Sequence, residues 1–502
     1  STIVFPQALP LDVLLHVNVP GWLLANGFTD ANGAARVLGV VEIALFAWLA
    51  LRLARVLGTR GGAAFACVTT AFFGGYLCMF TGFGKAFAEL CLLVAWTAVS
   101  GLDLVRRGRG AVSLGLAVAI AATLHRSGLG LVPAAAFAWV AGWRAHGAAP
   151  RTRRVLMLSL VAPVVSLAVM VPRIVAIVRQ WDSVHFRPHE VVRAGGVLAA
   201  TFAGTRAADI LNLLVMLSPL VLVLLTVLPF VLVTRHVAPR PAIAPARRGA
   251  RAAPATTSNR GAEPVFLALL ALPFVAMMPF IHPAQGLFRD WDDFCATGVA
   301  ISMLTAWTLA GLLRQRPARG WLAVTIAAGV AIPTLQWLEA QRDLTRGLAR
   351  VRAFVAETPR RTDDERGKTW DFLGIRHVRL GNEAASAHRD DDAHRQYQTA
   401  ADALSHAAET VPSPRILQEW GLAAALAGDY PTARDVYHRL LEKDPDNAYV
   451  RMSLAAVDMN LSDLAGAKTA GERVLALEPG NRDAHQLLHD IESVESGQAR
   501  MP

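Results

Sequence analysis

The sequence predicts an all-α protein, in which a polytopic bundle of transmembrane helices precedes a soluble tetratricopeptide-repeat (TPR) solenoid. Of its 502 residues, 54% are hydrophobic and the mean hydropathy is +0.37, too apolar for an ordinary soluble protein of this length. The apolar residues form blocks of about 17–25, enough to cross a hydrocarbon core of about 30 Å. The polar residues concentrate after these blocks, near the C-terminus.

Ten blocks have the length and composition of membrane spans. Two of them, 111–125 and 129–143, are short, and either form two tilted spans or one helical hairpin that turns at 125–128. The stretch 9–26 is apolar but interrupted by polar residues and a proline, which favours an interfacial or re-entrant segment. The ten predicted spans are 34–57, 62–80, 85–102, 111–125, 129–143, 155–178, 208–234, 264–281, 294–313 and 321–338.

The charges of the connecting links sort the loops onto two sides of the membrane. Arginine-rich links alternate with short or mixed-charge links, and an excess of Lys and Arg marks the cytoplasmic side. Residues 282–293 and the tail after residue 340 therefore face outward. The longest basic link, which we predict to be a disordered loop over 235–262, is rich in Arg, Ala and Pro. The basic links are 52–60, 103–110, 144–154, 235–261 and 314–320.

The formal net charge of +10 does not indicate nucleic-acid binding, because the basic residues lie in short links between spans. Four cysteines are present, and none has the spacing of metal ligands, so we expect small buried apolar residues. Glycine-rich nucleotide loops, zinc H-E-x-x-H patterns and G-x-S-x-G elbows are missing from the sequence. The cysteines are Cys67, Cys78, Cys91 and Cys295.

The C-terminal region carries a repeat with a period of 34 residues. Pro445 and Pro479 are one period apart, as are the small residues Ala433 and Ala467. This period, with a proline ending the second helix, is the TPR signature and is typical of protein-interaction surfaces. We further expect a degenerate unit over 369–412 with a turn lengthened by EAASAHRDDD, and a capping helix in RDAHQLLHDIESVES. The predicted domains are a membrane domain 1–339, a linker 340–368 and TPR repeats 369–502.

A strongly charged stretch, HPAQGLFRDWDDF, spans residues 282–294 between two predicted spans. One interpretation is a solvated loop whose charges stabilise the span ends. The other is a site for a lipid phosphate, held by the arginine or by a bridging divalent cation, with Trp291 at the membrane interface. The residues assigned to this substrate site are His282, Arg289, Asp290, Asp292 and Asp293.

Three more outward-facing groups are candidates for the same cavity. His125 and Arg126 lie in a turn between apolar stretches, where charge is costly unless it is paired or exposed to water. Lys85 and Glu89 are four residues apart, either as an ion pair within one helix or as cavity-lining residues. Asp12 and His16 are similarly spaced. Asp30 lies in a polar link and is a weak catalytic candidate, as is Asp12.

Together, the spans and the TPR tail resemble the membrane glycosyltransferases of the GT-C fold, especially the O-mannosyltransferase-like branch that carries TPRs. HRSGLGLVP (125–133) is similar to a stretch of bacterial members that begins with His and ends with Pro. GLFRDWDDF (286–294) resembles their outer-loop Arg-Asp-Trp-Asp stretch, although Phe288 stands where proline is expected. The resemblance covers the membrane part by architecture and a few tens of residues by motif.

This resemblance implies that a sugar moves from a polyprenyl phosphate to an acceptor outside the cytoplasm of a bacterial cell. A carboxylate from the first outer loop activates the acceptor hydroxyl, and basic residues stabilise the departing phosphate. That carboxylate is expected upstream of Ser1, since residues 1–33 map to the end of the loop.

The expected partners are a polyprenyl-phosphate sugar, membrane lipid and a protein bound through the TPRs. Two alternatives remain at this point. One is a non-catalytic TPR scaffold for envelope assembly, in which the spans act as an anchor. The other is a lipid-carrier transporter, which would need charges along a path through both leaflets.

Overall fold

A computed structural model describes residues 7–27, 30–82, 84–180, 191–192, 194–237, 261–283, 287, 290–315, 319–358 and 360–496. Within these residues the secondary structure is helical throughout, and strands are missing, as the sequence predicts. The chain divides into two compact units, Ser1–Asp343 and Leu344–Pro502, each of which has its own core.

The first unit contains fifteen α-helices among its described residues. Short 3-10 segments at Gly75–Thr81, Arg126–Leu131 and Trp291–Phe294 and a π segment at Leu14–Asn18 adjoin them. The helices are α1 Pro10–Val13, α2 Val19–Ala25, α3 Ala31–Leu57, α4 Gly61–Phe72, α5 Phe87–Arg107, α6 Ala111–Leu124, α7 Val132–His146, α8 Pro150–Ser159, α9 Val161–Gln180, α10 Val197–Thr201, α11 Arg206–Leu217, α12 Val221–Val237, α13 Ala262–Met277, α14 Cys295–Gln315 and α15 Leu322–Arg342.

Five helical segments of the described residues are long and apolar enough to cross a membrane, or seven if each of two bent pairs counts as one span. The remaining apolar segments that the sequence predicts as spans are shorter helices. The central segments α5 and Trp291–Gln315 are almost wholly surrounded by other helices, whereas Pro150–Gln180 is largely exposed. The five segments are Gly33–Leu57, Phe87–Arg107, Pro150–Gln180, Trp291–Gln315 and Leu322–Arg342.

Two predicted spans are interrupted, which corrects the prediction of continuous helices over 62–80 and 208–234. The chain bends by 63° between α4 and Gly75–Thr81, and by 82° between α11 and Val221–Val233. The two breaks meet: a Cβ on Gly75 would lie 2.7 Å from the Met216 carbonyl oxygen, and one on Gly298 would lie 2.8 Å from Leu217 Cβ. Glycine at these positions therefore allows the broken segments to touch.

Arginines cap the C-terminal end of α3. Arg107 donates to the carbonyls of Arg55 and Val56 at 3.0 Å each, and Arg314 donates to the carbonyl of Leu57 at 3.1 Å. Cations at a helix C-terminus compensate its partial negative charge. Arg107 and Arg314, from the basic links 103–110 and 314–320, thus meet the end of α3 at one end of the bundle.

The second unit is a series of antiparallel helices. Residues 340–368, predicted as a linker, contain α16, whose apolar side chains pack onto the core of this unit. The expected long turn in EAASAHRDDD is wrong, because α17 and α18 extend through this stretch and leave only Ala387–Arg389 between them. The helices are α16 Leu344–Ala356, α17 Asp363–Ser386, α18 Asp390–Thr410, α19 Pro414–Leu426, α20 Tyr430–Leu441, α21 Ala448–Asn460, α22 Leu464–Leu477 and α23 Arg482–Glu495.

Candidate functional site

The acidic stretch, residues 290–293, precedes α14 and lies against the start of α5. Lys85 Nζ donates to Asp292 Oδ2 at 2.6 Å, although 207 positions separate the two residues. Asp292 is 1% exposed, whereas the Lys85 side chain is 48% exposed. The structure therefore pairs Lys85 with the acidic stretch and turns part of its side chain toward open space.

Three aspartates stabilise the positive charge of the Lys85 ammonium. Burial opposes its charge, but the hydrogen bond to Asp292 and the charges of Asp292, Asp293 and Asp290 raise the pKa of Lys85. Lys85 is therefore a permanent cation at neutral pH. Arg289, which is predicted to share this site, lies outside the described residues.

The sequence position of Trp291 suggested a side chain exposed at the membrane interface, but the structure buries it. The side chain is 7% exposed, and its ring meets that of Trp337 edge-on at a centroid distance of 5.7 Å. This contact ties the acidic stretch to α15.

His125 and Arg126 lie at the end of α6, beside the start of α5. The His125 ring packs edge-on against Phe87 at 4.9 Å, and its Nδ1 accepts from the Ser127 backbone N–H at 3.2 Å. Burial and the neighbouring Arg126 charge lower the pKa of His125 to about 3. Its ring is thus neutral, and Arg126, whose guanidinium lies 3.3 Å from His125 Nε2, supplies the positive charge at this turn.

The N-terminal segment contributes a second charged group. His16 Nδ1 lies 2.9 Å from Asp12 Oδ1, and His16 Nε2 lies 3.3 Å from Glu89 Oε1. Burial opposes a charge on His16, but the hydrogen bond to Asp12 and the charges of Glu89 and Asp12 raise the pKa of His16 to about 10. The expected intrahelical Lys85–Glu89 pair is therefore replaced by two longer-range pairs, Lys85–Asp292 and His16–Glu89.

These side chains come together from four separate parts of the chain. Asp12 is close enough to His125 to interact with it electrostatically, and Arg126 and Lys85 interact with Asp293 in the same way. Because α5 begins at this group and ends at the arginine-capped end of α3, the two sets of charges occupy opposite ends of the bundle. Glu89 and His16, which their sequence spacing suggested as cavity-lining residues, also belong to this group.

Two predicted site residues make contacts of their own. Asp30 is exposed and caps α3 by accepting from the Gly33 backbone N–H at 2.5 Å, a structural role. His282 is 6% exposed and has Arg206 as its charged neighbour. Burial and the Arg206 charge lower the pKa of His282 to about 4. Within the described part of the chain, groups of three or more His, Cys, Asp or Glu side chains suited to a metal ion are missing.

The second unit has a concave site of its own. A cavity of about 470 Å³ lies between α16, α17 and α18. Its walls are mainly apolar, with Trp370, His377 and Gln396 among the polar groups. Arg352 and Asp402 add charge to the lining, and the volume lies within the range of small-molecule pockets.

Comparison with known proteins identifies the C-terminal repeats. The tetratricopeptide-repeat family model matches residues 424–491, which confirms TPR repeats in the C-terminal region. Among solved structures, the chain is similar to one described as the first TPR of Spaghetti (RPAP3) bound to the HSP90 peptide SRMEEVD. That match has 20% identity and a TM-score of 0.21, and covers 25% of this chain and 95% of that one. No curated protein matches the chain.

Proposed function

We propose that the first unit is a membrane glycosyltransferase, which moves a sugar from a polyprenyl phosphate to an acceptor on the extracytoplasmic face. The observation that supports this most is the meeting of Lys85, Arg126 and the acidic stretch at one end of an apolar bundle. Charge placed among apolar helices is costly and is typical of functional sites.

In this proposal the donor phosphate binds at Lys85 and Arg126. Lys85 is partly exposed and permanently charged, so a phosphate can share its ammonium with Asp292. When the sugar leaves, its former phosphate oxygen gains negative charge, which both cations stabilise. A divalent cation bound by Asp290 or Asp293 would assist in the same way.

The arginines determine the proposed orientation of the helix bundle in the membrane. The end of the bundle with Arg107 and Arg314 faces the cytoplasm, and the end with Lys85 faces outward, in a bacterial inner membrane. A reporter fused after Pro502 tests this proposal: it should be active in the periplasm. Reporter activity in the cytoplasm would place the TPR unit on the cytoplasmic side and contradict the proposed orientation.

Binding of polyprenyl monophosphate to the full chain in lipid nanodiscs tests the phosphate site. Lys85→Met should weaken binding about tenfold or more, which corresponds to about 1.4 kcal/mol. Lys443→Met removes the same charge from the TPR unit and serves as the matched control. Equal affinities for the two variants would contradict the assignment of Lys85, and undetectable binding by the wild-type chain would contradict the whole proposal.

A second candidate function, a membrane-anchored TPR scaffold, is favoured by the family match over 424–491. TPR solenoids present extended binding surfaces. Here the cavity beside Trp370 would receive a segment of an envelope protein. A stable partner captured by the full chain and lost with Trp370→Ala, in cells whose glycans are unchanged after gene deletion, would support this function over glycosyl transfer.

A further inference from the structure

Two buried glutamates face each other beside the candidate site. Glu42 lies about three turns inside α3 and is 4% exposed, and Glu89 lies at the start of α5 and is 8% exposed. Their carboxyl groups are within hydrogen-bonding reach of each other. Two carboxylates this close in apolar surroundings repel each other strongly, and a proton shared between them removes the repulsion.

The missing hydrogen-bond donors around these carboxyl groups also indicate a shared proton. Glu42 Oε1 and Glu89 Oε2 are buried and lack a donor among the described residues. The 3.3 Å approach of His16 Nε2 to Glu89 Oε1 is an ion pair without hydrogen-bond geometry. An ionised carboxylate without donors is expensive to bury, whereas a carboxylic acid donates its own hydrogen to the facing carboxylate.

The charges around the two glutamates also favour one bound proton. His16 is a cation held between Asp12 and Glu89, and it balances only one of the carboxylates Asp12, Glu42 and Glu89. The other groups near this cluster are neutral His125, beside Asp12, and the cations Arg126 and Lys85, which interact with the acidic stretch. A protonated Glu42–Glu89 pair lowers the uncompensated charge in the apolar bundle.

We propose that Glu42 and Glu89 form a proton-binding pair, which His16 connects to Asp12, and that this chain accepts the proton released in the reaction. The connection to a reaction rests on the proposed function, whereas the shared proton does not. Asp12 is the most exposed member, with 23% of its side chain accessible, and is the entry point of the chain.

The proton transfer balances with the proposed glycosyl transfer. The acceptor oxygen attacks the anomeric carbon, the sugar–phosphate C–O bond breaks, and its electron pair stays on the phosphate. The hydroxyl proton passes to Asp12, and the His16 cation gives its Nε2 proton to Glu89, so that His16 becomes neutral and keeps its hydrogen on Nδ1 facing Asp12. Asp12 would contact the substrate, whereas His16, Glu89 and Glu42 act through it.

Infrared spectroscopy of the full chain in lipid nanodiscs tests the shared proton without any substrate. The wild-type protein should show the C=O band of a protonated carboxyl group at neutral pH, and Glu42→Gln should remove it. Glu89→Gln, a second isosteric variant, should remove or shift the same band. Glu263→Gln is the matched control, since Glu263 is equally buried but is paired with Arg106 and Trp307 and should not contribute. A missing wild-type band, or one unchanged in both variants, would overturn the pair.

The link to catalysis is tested separately. With polyprenyl-phosphate sugar as donor, Glu89→Gln should lower kcat at least tenfold, leave the donor KM unchanged and alter the pH profile of kcat. An unaltered pH profile in an active variant would overturn the proton chain but leave the glycosyltransferase proposal intact. A wild-type chain that binds no polyprenyl phosphate would overturn that proposal and leave the infrared result standing.

Discussion

Lys85 and Asp292 form an ion pair that joins α5 to the acidic stretch before α14, with Nζ and Oδ2 2.6 Å apart. The carboxylate is buried and the ammonium is half exposed, so the two partners depend on the pair to different degrees. Asp292 needs the cation for its own stability, whereas Lys85 can also turn to an incoming anion.

Replacing Lys85 should therefore destabilise the membrane unit. Lys85→Met leaves the buried Asp292 carboxylate without its donor, at a cost of about 1–3 kcal/mol. Thermal unfolding in detergent micelles measures the loss. The double variant Lys85→Met/Asp292→Asn removes both charges and should recover most of the stability; if it is as unstable as the single variant, the pair is not the cause.

His125 should make the protein sensitive to acid. Its pKa is lowered to about 3 in the folded protein, against about 6.5 in an unfolded chain, so the unfolded state binds more protons below pH 6.5. Stability from this residue is present above pH 6.5 and is lost as the pH falls toward 3. We expect the melting temperature to drop between pH 7 and pH 5.

The variant His125→Asn tests whether His125 causes this loss of stability at low pH. The Asn side-chain oxygen can accept from the Ser127 N–H as Nδ1 does, but it does not titrate. The variant should lose less stability than the wild-type protein over the same pH range. An identical pH dependence in the two proteins would exclude His125 as the titrating group.

The arginine caps on α3 should contribute measurably to stability. Arg107→Ala removes two bonds to the last carbonyls of α3 and the 3.0 Å bond to Asp103, and should cost about 1–2 kcal/mol. Arg109→Ala removes the same charge from the same link at an exposed position and should cost under about 0.5 kcal/mol. Equal melting temperatures for the two variants would show that only the link charge matters.

The TPR helices α19 and α20 pack too closely to accept a methyl group at Gly421. A Cβ there would lie 2.5 Å from the ring of Tyr437, which is 1% exposed, so Gly421→Ala should destabilise the unit by about 1–3 kcal/mol. Gly480→Ala, where a Cβ meets open space, is the matched control. Hydrogen exchange of the α19 and α20 amides in the full chain should accelerate only in Gly421→Ala.

The sequence was sufficient to predict the helical class and the repeats, because apolar block length and a 34-residue period are local properties of the chain. Pro445, Pro479, Ala433 and Ala467 fall where TPR helices pack or end, and the family match covers them. The interruptions at 72–75 and 217–221 were missed, although Gly74-Gly75 and Ser218-Pro219 stand at the two breaks. Hydropathy alone does not separate a broken apolar run from a continuous one.

The candidate site was predictable by residue type but not by pairing. Lys85, His125 and the acidic stretch are conspicuous because charge is rare among apolar runs. The partner of Lys85, however, is 207 positions away, and the nearest acid in sequence, Glu89, faces His16 instead. Helical spacing favours neighbours on one helix, whereas the folded bundle offers closer partners on other helices. Asp30, a weak catalytic candidate by sequence, caps α3, and a helix cap and a catalytic carboxylate look alike in sequence.

The contact between the two interrupted segments restricts how this chain can vary. Gly75 meets the Met216 carbonyl, and Gly298 on α14 meets Leu217. A methyl group added at Gly75 would push on α11, and one added at Gly298, on the nearly enclosed α14, would push on both Leu217 and Tyr76. Relatives that retain this crossing should therefore keep glycine at both positions, and a larger residue at one of them would mark a protein whose segments run straight.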